Sequence, residues 1–254
     1  RKVRRNDKAF GGVQLLMIGD IQQLAPVARP NEWELLQPYY KSVYFFDSLV
    51  LRNNPYICVE LNHIYRQNDE DFINILNQVR NNRLDKKSAD MLNQRYLPDF
   101  EPKDKEGYIT LTTHNLQADE INEQKLNKIK SELLTFEAEI KGIFPENAYP
   151  TKELLELKVG AQVMFVKNDP SPEKLYYNGK IGKIISYDDD NGLVVQCGDE
   201  EINVAPVQWQ NFEYTLNEKT NEIEEKEIGS FTQIPLKTAW AITIHKSQGL
   251  TFDK

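Results

Sequence analysis

A short, nearly continuous apolar run at residues 13–18 constrains the fold more than any other feature of the sequence. It reads Val-Gln-Leu-Leu-Met-Ile and ends at Gly19 and Asp20. Such a run is typical of a strand that is buried on both faces of a parallel sheet. A second run of this kind occupies residues 56–61. The sequence therefore predicts an α/β domain whose ligand-binding loops directly follow these strands.

The same order of strand, polar loop and helix recurs later in the chain. Apolar residues at helical spacing predict helices within residues 72–79 and 89–96. A stretch rich in proline and charge, residues 98–107, predicts a domain boundary. A strand at 108–111 and a helix at 116–129 follow it, so two α/β halves are expected.

Half-buried strands are predicted in the second half of the chain, after the helix at residues 116–129. From about Leu133 apolar and charged residues alternate, which a half-buried strand requires. The Asn-Gly pair at 191–192 predicts a hairpin between residues 183–187 and 193–197, and residues 212–216 are expected to pair with the segment after Asn221. Together these signals predict a small antiparallel barrel, inserted at about residues 160–235.

After Pro235 the α/β pattern is expected to return over residues 236–248. Ala239, Trp240 and Ile244 have the spacing to cover one face of a short helix there.

Composition and charge exclude several classes of protein. The 254 residues have a formal net charge of −8, which argues against a broad basic surface for duplex DNA and leaves only local nucleic-acid contacts. No apolar run approaches the roughly 20 residues that a membrane span needs, so no membrane contact is expected. Cys58 and Cys197 have no metal-binding spacing, which predicts a reduced, cytosolic chain without zinc. Both ends of the chain, which starts in a charged run without methionine, are interpreted as cuts.

The most specific signal is the segment 19–27, Gly-Asp-Ile-Gln-Gln-Leu-Ala-Pro-Val. An amide side chain at a strand exit can hydrogen-bond to a γ-phosphate and lose that bond on hydrolysis, so the loop can report the state of a nucleotide. The residues alone also allow a plainer interpretation, in which Asp20 caps a helix and Gln23 is solvated.

Four segments, in order along the chain, resemble helicase motifs of the PIF-one family, relatives of RecD in superfamily 1B. Gly-Asp-x-x-Gln-Leu-x-Pro-Val at 19–27 is similar to the third motif, and residues 61–67 to the fourth. Residues 112–122 resemble the segment that opens the second RecA-like domain, and residues 238–252 the fifth motif. The resemblance covers essentially the whole chain and implies an ATP-dependent DNA helicase that moves 5′ to 3′.

The resemblance also implies a nucleotide site. Gln23 would be the γ-phosphate sensor, and Arg66 the arginine finger, for which a permanently charged, planar guanidinium is suited. From its position alone, a single arginine after a predicted strand, Arg66 could instead form an ion pair at the surface. The residues expected at the nucleotide are Gly19, Asp20, Gln23, Arg66, Gln248 and Gly249.

For DNA, the resemblance implies a single-strand channel lined by short hydroxyls, imidazoles and one lysine. These groups bind phosphates without reading bases, as movement along any sequence requires. The expected residues are Pro26, Val27, Thr113, His114, Asn115, Thr243, His245, Lys246 and Ser247. Ala25 replaces the family's more usual proline, which weakens the expected contact between the Pro26-Val27 turn and the DNA. A structural role remains the alternative for each histidine.

A phosphate-binding loop, Gly-x-x-x-x-Gly-Lys followed by Ser or Thr, is absent from the sequence, because neither Gly179-Lys180 nor Gly182-Lys183 has that spacing. An acidic pair for magnesium is also absent. ATP and Mg²⁺ are therefore expected in the intact parent protein and not as tight ligands of this chain, whose own residues are predicted to hold no metal. The chain alone is expected neither to hydrolyse ATP appreciably nor to unwind DNA, and measurable DNA-stimulated hydrolysis by it would contradict this.

The expected architecture has RecA-like parallel-sheet domains and an inserted SH3-like antiparallel β-barrel. Residues 1–100 are the remainder of the first RecA-like domain, 101–160 and 236–254 form the second, and 161–235 form the barrel. The resemblance implies a monomer that acts on single-stranded, forked or structured DNA in repair, recombination and telomere maintenance. Its location would be the cytoplasm of a bacterium, or the nucleus or mitochondrion of a eukaryote.

Two other functions remain open from the sequence. The chain could be a non-catalytic module that binds single-stranded nucleic acid through the barrel and the Thr/His loops. It could also be a scaffold of acidic barrel and α/β domain, which would leave all four motifs unexplained.

Overall fold

The computed structural model describes residues 4–65, 67–102, 107–188, 192–216 and 223–250. The chain divides into two compact units, Arg1–Glu101 and Pro102–Lys254.

The first unit is helical in its regular parts. Short 3-10 turns lie at Ala9–Gly12 and Phe45–Asp47. The α-helices are α1 (Pro30–Leu36), α2 (Leu49–Asn53), α3 (Glu70–Arg80) and α4 (Lys86–Asn93).

Side-chain caps fix the start of the two longest helices of this unit. The Asp69 carboxylate accepts a hydrogen bond from the Phe72 amide at 3.0 Å at the start of α3, and Asp85 accepts one from the Ser88 amide at 2.8 Å at the start of α4. The bond from Ser88 also lowers the pKa of the Asp85 carboxyl. Both helices confirm the predictions made from apolar spacing over residues 72–79 and 89–96.

The two apolar runs of this unit do not form the predicted strands. Residues 13–18 and 56–61 have no regular structure, and Ile18 and Ile57 are 86% and 92% exposed. A strand makes its backbone hydrogen bonds only with a neighbouring strand, and the described part of this unit contains none. The prediction of two doubly buried strands is therefore wrong for this structure, although both runs keep the apolar surface that such strands bury.

The second unit contains all the described strands. A 3-10 turn lies at Glu146–Ala148, and the helices are α5 (Asn115–Lys128) and α6 (Ile244–Ser247). The strands are β1 (Thr110–Thr112), β2 (Leu133–Glu137), β3 (Glu139–Gly142), β4 (Leu154–Lys158), β5 (Gln162–Phe165), β6 (Ile181–Asp188), β7 (Gly192–Cys197), β8 (Glu200–Val204), β9 (Val207–Leu216), β10 (Ile223–Gln233), β11 (Leu236–Thr238) and β12 (Ala241–Thr243). Within the part of the chain that the structure describes, we find no helix with the length and apolar character of a membrane span.

One parallel pair joins segments that are far apart in the sequence. Strand β1 runs parallel to β12, with Thr110 opposite Ala241 and Thr112 opposite Thr243. Helix α5 follows β1, as predicted for the second α/β half. The carboxyl ends of the two strands therefore meet at one edge.

Along the chain, the strands between β1 and β12 pair in an antiparallel manner. The strand order is β11-β5-β6-β7-β8 in a five-stranded sheet and β3-β10-β9 in a three-stranded sheet, and β2 pairs with β4. The β6–β7 and β9–β10 pairs confirm both predicted hairpins. The predicted strand from Leu133 is interrupted at Ala138, whose amide donates to the Glu153 carbonyl at 2.9 Å, so β2 and β3 join different sheets.

The predicted closed barrel is not found among the described strands. In the five-stranded sheet, β11 pairs only with β5 and β8 only with β7, which leaves two open edges. The sheet is covered instead by α5 and the β2–β4 pair. Their side chains share one core with it, formed by residues such as Leu126, Leu157, Phe165, Ile184 and Trp240.

The α/β pattern predicted over residues 236–248 is found as β11, β12 and α6, but the short helix predicted across Ala239, Trp240 and Ile244 is wrong. Strands β11 and β12 occupy this segment, and only α6 is helical. The reason is tertiary hydrogen bonding: the Ala239 amide donates to the Gln162 carbonyl at 3.0 Å, and the Trp240 amide donates to Asn122 Oδ1 at 2.9 Å. These two amides therefore bond to other elements and do not form the hydrogen bonds of a helix.

Candidate functional site

The edge at the carboxyl ends of β1 and β12 brings together two of the predicted site segments. Thr113, His114 and Asn115 follow β1, and His245, Lys246 and Ser247 follow β12. Because Thr112 lies opposite Thr243 in the parallel register, the two loops start side by side. In open α/β sheets this edge is the usual place for a ligand.

The first loop, residues 113–115, is ordered by its own hydroxyl groups. The Thr112 hydroxyl is buried and donates to the His114 carbonyl at 3.1 Å. The Thr113 hydroxyl lies 2.8 Å from His114 Nδ1. His114 is the residue before α5, and Asn115 is its first residue. Thr113, His114 and Asn115 are all exposed and accessible to a ligand.

The second loop, residues 245–247, lies in the single helical turn α6 (Ile244–Ser247). The Ser247 hydroxyl donates to the Ile244 carbonyl at 2.7 Å, and the Gln248 amide donates to the His245 carbonyl at 3.4 Å. His245 and Lys246 are exposed, whereas Thr243 is 5% exposed. Thr243 therefore supports the loop from within the parallel pair, and its neighbours present polar groups to solvent.

A buried amide, Asn122, holds β12 against α5. Its Nδ2 donates to the Ala241 carbonyl at 2.8 Å, and its Oδ1 accepts from the amides of Trp240 and Ala241, both at 2.9 Å. One side chain thus satisfies three backbone groups of the segment that leads into the second loop.

Sequence reasoning missed this positioning role of Asn122, although a signal was present. Ala118, Asn122 and Leu126 are spaced four residues apart on the buried side of α5. A single amide within an apolar stripe needs buried partners, and this need distinguishes it from a solvated polar residue.

Gln162 in β5 has a similar role and was also missed. Its Nε2 donates to the carbonyls of Tyr108 and Ala239 at 3.1 and 2.9 Å, so it connects the segments that lead into β1 and β12. The two buried amides together fix the parallel pair, and with it the placement of both loops.

The predicted nucleotide segment of the first unit is an exposed turn. The Asp20 carboxylate accepts hydrogen bonds from the Gln22 amide at 2.9 Å and from Gln23 Nε2 at 3.3 Å. Its Oδ1 also lies 3.9 Å from Arg80 Nη2. The carboxylate therefore organises the turn itself. The next helix along the chain, α1, begins at Pro30, so the plainer interpretation of Asp20 as a helix cap is wrong for this structure.

The other residues predicted at the nucleotide are distributed over both units. Gly19 belongs to the turn in the first unit, and Gln248 and Gly249 belong to the second unit. Gly249 has a φ of +77°, a conformation that favours glycine. Arg66 lies outside the described residues. Pro26 and Val27, predicted at the DNA, are exposed in the first unit.

No metal-binding cluster is evident in the parts of the chain that the structure describes, where we find no group of three or more His, Cys, Asp or Glu side chains arranged to hold an ion. Cys58 is exposed and Cys197 is buried, and neither forms a disulfide.

Comparison with known proteins gives a consistent result. No protein-family model matches the chain. The human ATP-dependent DNA helicase PIF1 is 32% identical over 265 residues, covering 100% of this chain and 37% of the human protein. The crystal structure of Bacteroides sp Pif1 in complex with ADP-AlF4 is 41% identical with a TM-score of 0.84, covering 100% of this chain and 58% of that chain. Bacteroides Pif1 bound to ssDNA has the same identity and coverage and a TM-score of 0.66.

The chain spans 37% of the human relative and 58% of the Bacteroides chain, and in both cases all of this chain is matched. This likeness identifies a RecA-like α/β fold with parallel and antiparallel sheets. With the four sequence segments in the family's order, the chain belongs to the PIF-one (Pif1) family of DNA helicases.

Proposed function

We propose that this chain is the part of an ATP-dependent DNA helicase that senses the nucleotide and holds a single DNA strand, in a protein that moves 5′ to 3′. The observation that carries the proposal is the edge of the β1–β12 pair. There the loops 113–115 and 245–247 lie side by side, with all of their residues exposed except the half-buried Ser247. The human relative is named an ATP-dependent DNA helicase, and a Bacteroides relative was crystallised with ssDNA.

The chemistry of these loops suits a DNA backbone. Hydroxyl groups, imidazoles and one lysine can donate hydrogen bonds or positive charge to phosphate oxygens, and none of them requires a particular base. We assign Thr113, His114, Asn115, His245, Lys246 and Ser247 to this contact. Pro26 and Val27 of the first unit are separately proposed as DNA-contacting residues. Thr243 is buried and is assigned to support of the loop. Single-stranded and forked DNA are the proposed partners of a monomeric protein.

We assign Gln23 to γ-phosphate sensing and Arg66 to stabilisation of the charge that develops on the transferred phosphoryl group. Nucleotide contact is also assigned to Gly19 in the first unit and, separately, to Gln248 and Gly249 in the second unit. Asp20 is already engaged with the amide and side chain of its own turn, so we assign it to the shape of that turn.

ATP with Mg²⁺ is the proposed nucleotide, and its phosphates supply the bond that is hydrolysed. The described residues contain no cluster fit to hold the metal ion, and the sequence contains no phosphate-binding lysine loop. Residues 1–254 alone are therefore proposed to hydrolyse ATP only weakly.

The proposed domains follow the strand pairing. Residues 1–100 would belong to a first RecA-like domain, and residues 101–160 and 236–254 to a second one, a division that the parallel pairing of β1 with β12 supports. The antiparallel strands of 161–235 would be an SH3-like insertion in open form. Antiparallel pairing already begins with β2 and β4, so residues 133–158 would pack against the insertion and stabilise it.

A non-catalytic module for single-stranded nucleic acid is the second candidate. The same two exposed loops would support binding without hydrolysis. The two candidates differ in one observable, DNA-stimulated ATP hydrolysis that depends on Arg66.

Replacement of both His245 and Lys246 by alanine is expected to weaken binding of a fluorescein-labelled oligothymidylate by at least about tenfold, because phosphate contacts are lost. The salt dependence of log K should also decrease in slope by about one for the lost lysine. Fluorescence anisotropy measures both quantities.

Lys141→Ala is the matched control. Lys141 is exposed and pairs with Glu139 on β3 at 2.8 Å, so its loss removes a positive charge from another part of the second unit. If both variants weaken binding equally, or if neither does, the assignment of the strand to the β1–β12 edge is wrong.

A further inference from the structure

Strand β11 places one lysine close to the candidate DNA edge. Lys237 lies opposite Met164 of β5, and only Ala239 and Trp240 separate β11 from β12. The Lys237 side chain is half-buried, and Met164 opposite it is an apolar residue that is 2% exposed. The position of Lys237 is therefore fixed by β5, whose Gln162 also holds the segment that leads into β12.

The charged groups around Lys237 come from two helices. Lys246 of α6 repels its ammonium group, and Asp119 of α5 attracts it. The facing strand β5 carries no ionisable side chain. Within the described parts of the chain, the Lys237 ammonium group forms neither a hydrogen bond nor an ion pair.

Burial affects the charge of this lysine. Desolvation is the main cause that lowers the pKa of Lys237 to about 8, and the repulsion from Lys246 acts in the same direction. A partly desolvated ammonium group beside a second one is unfavourable unless an anion neutralises it. Asp119 is a single exposed carboxylate set against two ammonium groups.

We propose that Lys237 is a phosphate contact for the bound DNA strand and acts beside Lys246 at the β1–β12 edge. The proposal rests on the proposed function, because it takes the strand to lie along this edge. A phosphate group there would compensate both ammonium groups, and the buried part of Lys237 would strengthen that interaction compared with a fully solvated lysine.

The proposal predicts a pH dependence with a definite sign. Bound phosphate favours the charged form of Lys237, so binding takes up a proton when the free lysine is neutral. Affinity for oligothymidylate should therefore fall by up to about tenfold as the pH rises from about 7 to about 9.

Two substitutions separate charge from structure. Lys237→Met removes the ammonium group and keeps a long apolar stem, so at about pH 7 it should weaken binding about tenfold and flatten the pH profile. Lys237→Arg keeps a charge that does not titrate in this range, so it should retain affinity and also flatten the profile. Anisotropy titrations with oligothymidylate measure affinity at each pH, and circular dichroism verifies that the variants are folded.

The outcomes distinguish this proposal from the function on which it rests. If the His245/Lys246 double variant loses affinity while Lys237→Met retains the wild-type affinity and pH profile, Lys237 is not a DNA contact and the proposed edge survives. If wild-type protein does not bind oligothymidylate at low salt, both proposals are overturned. Loss of affinity in Lys237→Met with retention in Lys237→Arg supports the contact.

Discussion

Asn122→Ala is expected to lower the free energy of unfolding of the second unit by about 2–4 kcal/mol, the largest stability effect that we predict for one substitution. The variant leaves the amides of Trp240 and Ala241 and the Ala241 carbonyl without their partner, all in a buried position. Water cannot replace a buried amide without rearrangement, so the cost approaches that of several unsatisfied polar groups.

Urea unfolding followed by tryptophan fluorescence measures this effect, since Trp240 lies directly at the altered contact. Asn127→Ala is the matched control, because Asn127 is exposed in the same helix, and it should change stability by no more than about 0.5 kcal/mol. Asn122→Asp should also be destabilising, since a carboxylate keeps the acceptor but cannot donate to the Ala241 carbonyl. Equal unfolding midpoints for Asn122→Ala and Asn127→Ala would show that the amide does not hold β12.

Sequence patterns correctly predicted several helices and both hairpins, whose backbone hydrogen bonds join residues that are close together in the sequence. The apolar spacing of α5 and the Asn-Gly pair at 191–192 were sufficient to predict that helix and the β6–β7 hairpin. The runs at 13–18 and 56–61 have an equally clear pattern, but a strand also needs a neighbouring strand. In this structure their apolar side chains remain exposed.

Long-range hydrogen bonds determine the conformation of residues 239–241, for which the sequence pattern predicted a helix. Ala239, Trp240 and Ile244 have helical spacing, yet the amides of residues 239–241 donate to Gln162 and Asn122, which lie more than seventy residues away in the sequence. Intrinsic preference is weak compared with several buried hydrogen bonds, so the segment is extended.

The convergence of the two loops could not be derived from either loop alone. It depends on the parallel pairing of β1 with β12, and about 130 residues lie between these strands. The family resemblance implied that both loops face the DNA, and the register places them at one edge. By contrast, Asn122, one of the two buried amides that hold this edge, could have been found from α5, where it interrupts an apolar stripe.

Arg66→Ala is expected to reduce DNA-stimulated ATP hydrolysis by about a thousandfold or more, in protein that also carries a phosphate-binding loop. The guanidinium would stabilise negative charge on the phosphoryl oxygens chiefly in the transition state, so the loss should appear in kcat and leave the affinity for oligothymidylate unchanged. Arg66→Lys should restore little, because an ammonium group lacks the planar, bidentate geometry. Gln23→Ala should also reduce hydrolysis, since the γ-phosphate loses its sensor.

Arg95→Ala is the control for a lost positive charge in the same unit, because Arg95 is exposed just after α4 and belongs to none of the four motifs. A coupled phosphate-release assay with and without oligothymidylate measures hydrolysis, and anisotropy measures DNA binding for the same samples. Hydrolysis in Arg66→Ala within a few-fold of wild type would refute the arginine-finger assignment. If the protein with a phosphate-binding loop hydrolyses no ATP but still binds oligothymidylate, the chain is a binding module, since a motor cannot move along DNA without the free energy of hydrolysis.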